Sequence, residues 1–109
     1  MIQHNVLFRF KATLGEDEIH RISAALLTMD RYIPGILNAS WHENISREQH
    51  DYGFRHKISL YFADNDALEI YLNHRHHLYV RENIILPSLT DGVCSVLIFD
   101  ALLSGEAET

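Results

Sequence analysis

Ile2, His4, Val6, Phe8 and Phe10 alternate with Gln3, Asn5, Leu7, Arg9 and Lys11. A repeat of two puts alternate side chains on opposite faces, so the segment predicts a strand. Its one face is apolar apart from His4. Thr13-Leu14-Gly15-Glu16 then reads as a capping box, and Glu16, Asp17 and Glu18 suit the positive end of a helix dipole. Ile19, Ile22, Leu26, Met29 and Ile33 follow at steps of three and four, the apolar stripe of an amphipathic helix. Pro34-Gly35 stops it. Ile36 to His42 predicts a second strand, with Leu37, Ala39 and Trp41 on one face, and the polar run from Asn44 to Tyr52 predicts a loop.

The second half repeats the order. Phe54, His56, Ile58, Leu60 and Phe62 alternate with Arg55, Lys57, Ser59 and Tyr61 as a third strand. Asp64 is placed to cap a helix from about Asn65 to Asn73, and further helix is expected from about Leu78 to Leu86, limited by Pro87. Thr90-Asp91-Gly92 reads as a turn. Val93 to Leu102, rich in Val, Leu, Ile and Phe, predicts the last strand. The β-α-β-β-α-β order is that of the ferredoxin-like split βαβ unit, an α+β fold with a four-stranded antiparallel-mixed sheet and helices on one face. One domain over residues 1–103 is expected, followed by a flexible polar tail over 104–109.

Composition narrows the function classes. A chain of 109 residues with 47% hydrophobic and 22% charged residues is ordinary for one globular domain. The net charge of -6 argues against nucleic acid and anionic membrane surfaces as partners, since both select clustered Lys and Arg. No segment reads as a secretory signal or approaches the ~20 apolar residues of a membrane span, so the expected location is cytoplasmic. The single cysteine, Cys94, lies in an apolar stretch and is expected to be a buried structural thiol. No phosphate-binding loop, serine-centred elbow or dinucleotide fingerprint is present.

The eight histidines are the departure from the ordinary. With the first and third strands taken as parallel neighbours, His4 and His56 fall at the same end of the sheet. Both then point into the layer beneath the helices. A lone histidine there is more often a packed core residue than a catalytic one; a pair at one end shifts the balance. Tyr71 and His74 are three apart and share a helix face, and His74-Arg75-His76-His77 follows at the helix C-terminus. An imidazole titrating near 6.5 suits proton transfer around neutral pH. The alternative is a polar turn. Convergent histidines also admit a zinc site, but the spacing fits no structural zinc motif and no carboxylate is placed to complete one. His20, His42 and His50 lie in polar surroundings and read as surface residues.

Several segments together carry a resemblance. They are Met1-Ile2-Gln3-His4 through Phe10-Lys11, Ile33-Pro34-Gly35-Ile36, Trp41, and Gly53-Phe54-Arg55-His56, followed by Tyr71 through His77 and Val96 through Asp100. In order and spacing they resemble the stress-responsive A/B barrel family, the dimeric α/β barrels, over roughly residues 1 to 101. The resemblance implies a homodimer whose sheets pack together, with Leu7, Arg9, Lys57, Ser59 and Tyr61 on the packed face. It implies a small-molecule ligand. By likeness to the family's olivetolic acid cyclase-like polyketide cyclases, it implies an aldol reaction without metal or other cofactor. His77 would be the general base, Tyr71 the donor to a developing oxyanion, His4 and His56 supporting histidines, and His74 and His76 substrate-binding neighbours. Arg75 replaces the proline usual between the motif's histidines, which leaves open whether His76 or His77 faces the site. Two other readings stand beside the cyclase: a non-catalytic stress-associated or ligand-binding barrel, and an antibiotic-biosynthesis-type monooxygenase or haem protein using His76 or His77 as iron ligand.

Overall fold

The computed structural model describes residues 1–103. Four strands form one sheet: β1 (Ile2–Phe8), β2 (Asn38–Glu43), β3 (His56–Phe62) and β4 (Val96–Leu102), in the order β2-β3-β1-β4. Helices α1 (Glu16–Leu27), α2 (Asn65–Asn73) and α3 (Arg75–Val80) cover one face. This is the ferredoxin-like α+β fold. The polar tail expected over 104–109 lies outside the described residues.

Every neighbouring pair of strands is antiparallel, β1 with β3 included. That corrects the parallel pairing expected from the sequence. Strands β2 and β3 form a hairpin, and β3 inserts between β1 and β2. The crossover through α1 therefore makes β1 parallel to β2, which it does not touch. Phe8 lies opposite His56 and His4 opposite Leu60, so the two histidines sit at opposite ends of the sheet.

The helix-side face supplies the core. Ile58, Leu60 and Phe62 of β3 pack against Met29 and Ile33, all five almost fully buried. The α1 stripe expected from the sequence is thus in place. Leu26 is its last buried residue within α1, and Met29 opens a short 3₁₀ turn, Met29–Arg31.

The cap of α1 sits two residues later than expected. Leu14 N–H donates to the Lys11 carbonyl and closes a turn that keeps Thr13 outside the helix. Gly15 becomes the N-cap, and the Glu18 side chain accepts from its N–H at 3.0 Å. Asp64 caps α2 as expected, accepting from Ala67 N–H at 2.9 Å.

The following helix starts at Arg75 rather than near Leu78. His74 has ψ 137°, which breaks the chain direction, and its own side chain caps α3 by accepting from His76 N–H. A π-helical segment, Arg81–Ile85, continues α3, and Leu86–Ser88 closes it as a 3₁₀ turn.

Three further boundaries differ from expectation. Strand β2 begins at Asn38, leaving Leu37 exposed, and β3 begins at His56. Strand β4 begins at Val96 because Gly92–Ser95 form a 3₁₀ turn, in which the Ser95 hydroxyl accepts from Asp91 N–H. That turn also exposes Cys94, so the thiol is not the buried residue its apolar neighbours suggested.

The other face of the sheet carries no helix. At its centre the Ser59 hydroxyl donates to Asn5 Oδ1 at 2.6 Å, Asn5 Nδ2 donates to the Phe99 carbonyl, and Gln3 Nε2 donates to the Tyr61 hydroxyl. Ser59 and Asn5 are buried by their neighbours, while Leu97 and Phe99 stand exposed beside them. Arg9 anchors the loop before β3. Its guanidinium lies 5.2 Å from the Phe54 ring centre, and Gly53, at φ +86°, passes so close that a Cβ there would meet Arg9 Cδ at 2.8 Å.

Candidate active site

Between the sheet and α3 lies a cavity of about 420 Å³. Its floor comes from β1 and β3, through His4, Val6 and Ile58, and its roof from Tyr71, His77 and Val80. Apart from Arg81 at its rim, the rest of the wall is apolar. Volumes of a few hundred Å³ lined this way suit small ligands.

Three of the sequence-predicted residues converge here. The Tyr71 and His77 rings are 4.3 Å apart, and His4 meets the Tyr71 ring edge-on at 5.7 Å. The break at His74 arranges this. Tyr71 faces the core from the last turn of α2, and the restarted α3 brings His77 back over it.

The hydrogen bonds fix the chemistry of both imidazoles. His77 Nδ1 lies 3.1 Å from the Leu72 carbonyl, which can only accept, so Nδ1 carries the proton and Nε2 keeps the basic lone pair. His4 Nδ1 lies 2.6 Å from Asp100 Oδ1. The carboxylate likewise holds the proton on Nδ1 and leaves His4 Nε2 free. Tyr71 is a buried residue, but its hydroxyl makes no hydrogen bond among the described residues and opens onto the cavity.

Burial pushes the Tyr71 hydroxyl well above its ordinary value, so it remains a proton donor at any working pH. Burial lowers His77 below 6.5. The Leu72 carbonyl opposes that shift, and the positive charge of Arg81 and the neighbouring His4 and His74 add to it. His77 is therefore neutral and basic near pH 7.

Folding also lowers His56 and His76, in both cases chiefly through burial. As pH falls, the unfolded chain takes up protons first, from about pH 6.5. These histidines therefore contribute stability that is fully present above about 6.5 and is lost as pH falls below it towards their lowered folded values. Scanning calorimetry should show a melting temperature that is flat above pH 7.5 and falls between pH 7 and 5.5. His77→Ala should make that fall shallower.

The other predicted residues stand elsewhere. His56 packs between Phe10 and Trp41, with ring centres 5.4 and 5.6 Å away, and its Nε2 lies 3.9 Å from Glu43. It lines a separate recess with His42 and Lys57 at the far end of the sheet. His74 caps α3. His76 points outward and stacks on Tyr32 at 4.1 Å. Of the last two histidines it is His77 that faces the cavity, with Arg75 in the usual place of proline. His20, His42 and His50 are exposed, as expected.

Two residues of this region were not singled out as site residues from the sequence. Asp100 becomes visible only through the strand register that sets it opposite His4. Arg81 lies one helical turn beyond His77 and reaches the same cavity. Among the described residues no group of three or more His, Cys, Asp or Glu side chains is placed to hold a metal ion, and no helix is long and apolar enough to cross a membrane.

Comparison with known proteins places this geometry in a family. No curated protein matches the chain. Among solved structures, At3g17210 from Arabidopsis thaliana is 22% identical, over 94% of this chain and 95% of its own, with a TM-score of 0.84. A dimeric ferredoxin-like protein of unknown function from Jannaschia sp. CCS1 is 22% identical, over 94% and 98%, with a TM-score of 0.79. The hydroxynitrile lyase of Passiflora edulis is 16% identical, over 94% and 92%, also at 0.79. Likeness at these identities is likeness of fold. The family model of the stress responsive A/B barrel domain matches residues 2–101, and the chain belongs to that family.

Proposed function

We propose that the chain binds a small carbonyl compound in the cavity beneath α3 and moves protons on it without a cofactor, as a cyclase- or lyase-like enzyme. The observation that carries this reading is the His77–Tyr71 pair, a neutral imidazole beside a hydroxyl with no protein partner, on an apolar wall. His77 Nε2 takes a proton from the carbon next to the carbonyl. The Tyr71 hydroxyl donates to the oxygen as it gains charge, and the abstracted proton stays on His77, from which it can return to carbon. His4, held by Asp100, packs edge-on against the Tyr71 ring and positions it. The resulting enolate can add to a second carbonyl or be reprotonated. His74, His76 and His56 stand outside this cavity, and in this reading they take no direct part in the reaction.

The first test is binding. Methyl 4-oxononanoate, a simple ketone with an apolar chain, should shift the ring signals of His77 and His4 in a histidine NMR titration and leave His56 unmoved. Shifts confined to His56 would move the site to the other recess. Saturable binding without any proton exchange would favour the ligand-binding barrel, which the apolar lining also supports. A Soret band on adding haem would favour the haem reading.

We also propose that the working form is a homodimer, closed by the uncovered sheet face. Exposed Leu97 and Phe99 around the Asn5–Ser59 pair support this, and structural neighbours are described as dimeric. Sedimentation equilibrium at micromolar concentration should give twice the chain mass. A monomer would contradict it.

A further inference from the structure

Arg81 stands out in the cavity wall. Among the described residues it is the only lining residue there that is a Lys, Arg, Asp or Glu, in a chain where 15 acidic residues outnumber 9 basic ones. It follows His77 by four positions, so the two side chains share one helical face. Its side chain is 53% exposed, which sets it at the rim rather than in the floor. The guanidinium is only partly engaged. Its Nε donates to Glu82 Oε2 at 3.1 Å, and among the described residues neither terminal nitrogen has a protein acceptor. A neighbour-to-neighbour pair this exposed holds its partners weakly.

We propose that Arg81 makes the cavity selective for carbonyl compounds that carry one carboxylate, held by the free edge of its guanidinium while the carbonyl reaches Tyr71 and His77. The inference rests on the proton-transfer reading of the same cavity and names its substrate class. A planar guanidinium with two free N–H groups matches a carboxylate's two oxygens. One fixed cation balances one negative charge, and among the described residues the rest of the wall offers no second Lys or Arg for a phosphate dianion. The apolar remainder takes the chain, with exposed Val93 and Ile98 extending the wall outward.

The experiment compares 4-oxononanoate with its methyl ester by isothermal titration, using the wild-type chain, Arg81→Gln and Arg81→Lys. The wild type should bind the acid about tenfold or more tighter than the ester, as a charge-assisted pair allows. Arg81→Gln should weaken the acid to the level of the ester and leave the ester unchanged. Arg81→Lys should restore part of the preference, and added salt should erode it in the wild type. Equal binding of acid and ester by the wild type, or a loss in Arg81→Gln shared by both, overturns the carboxylate assignment and leaves the cavity reading standing. If the wild type binds neither ligand, the cavity reading fails and the assignment falls with it.

Discussion

Replacing His77 with Ala should lower the rate of α-proton exchange on a bound ketone by about 10²- to 10⁴-fold, the usual contribution of a positioned base. Tyr71→Phe should lower it by about 10²- to 10³-fold, the usual loss for one oxyanion donor. The readout is deuterium uptake from D₂O into 4-oxononanoate, followed by proton NMR. What separates chemistry from architecture is the accompanying stability. The Tyr71 hydroxyl has no protein partner among the described residues and opens onto the cavity, so deleting it breaks no internal hydrogen bond. Tyr71→Phe should therefore melt close to the wild-type temperature. His77→Ala gives up the bond to the Leu72 carbonyl, worth about 1 kcal/mol, and should melt a few degrees lower. A collapse in melting temperature from either change would mark a structural role instead.

Phe62→Ala should act in the opposite way, through the fold. Phe62 is fully buried, at the end of β3 beside Tyr71, whose ring centre is 5.3 Å away. Large-to-Ala changes at such sites cost about 3–5 kcal/mol, a large part of the ~5–15 kcal/mol that holds a domain together. The melting temperature should fall by about 12 °C or more. Because the cavity would lose support beneath Tyr71, ligand affinity should fall too. A loss of stability below about 1 kcal/mol would show that this end of the core is not what fixes the site.

The contrast between strands and turns explains how far the sequence could be read. Alternation in β1 and β3 and the stripe in α1 state directly which face is buried, and the residues so assigned form the core. Asp64 caps its helix because its carboxylate meets a free N–H locally. Thr13, His74 and Gly92 were harder, since each junction turns on hydrogen bonds that compete with the regular pattern. The His74 side chain accepts from the backbone two residues on, and this starts α3 three residues earlier than periodicity alone suggested.

Strand direction was the costliest ambiguity. Alternation places His4 and His56 on one face but says nothing of the end at which each falls. Antiparallel pairing separates them, and it is the partner strand β4 that gives His4 its neighbour, Asp100. Tyr71 and His77 were legible because both lie on one short stretch of chain. Arg81 went unremarked because a single cation on a helix is ordinarily just solvated surface.

The central claim is that His77 and Tyr71 form one reacting centre beneath α3. Its most direct test is the stereochemistry of deuterium uptake into 4-oxononanoate by the wild-type chain near pH 7.5. A base fixed on one side of a bound ketone predicts saturable exchange, proportional to protein, at only one of the two hydrogens on the reacting carbon. No exchange above buffer, or equal exchange at both hydrogens that persists in His77→Ala, would contradict it.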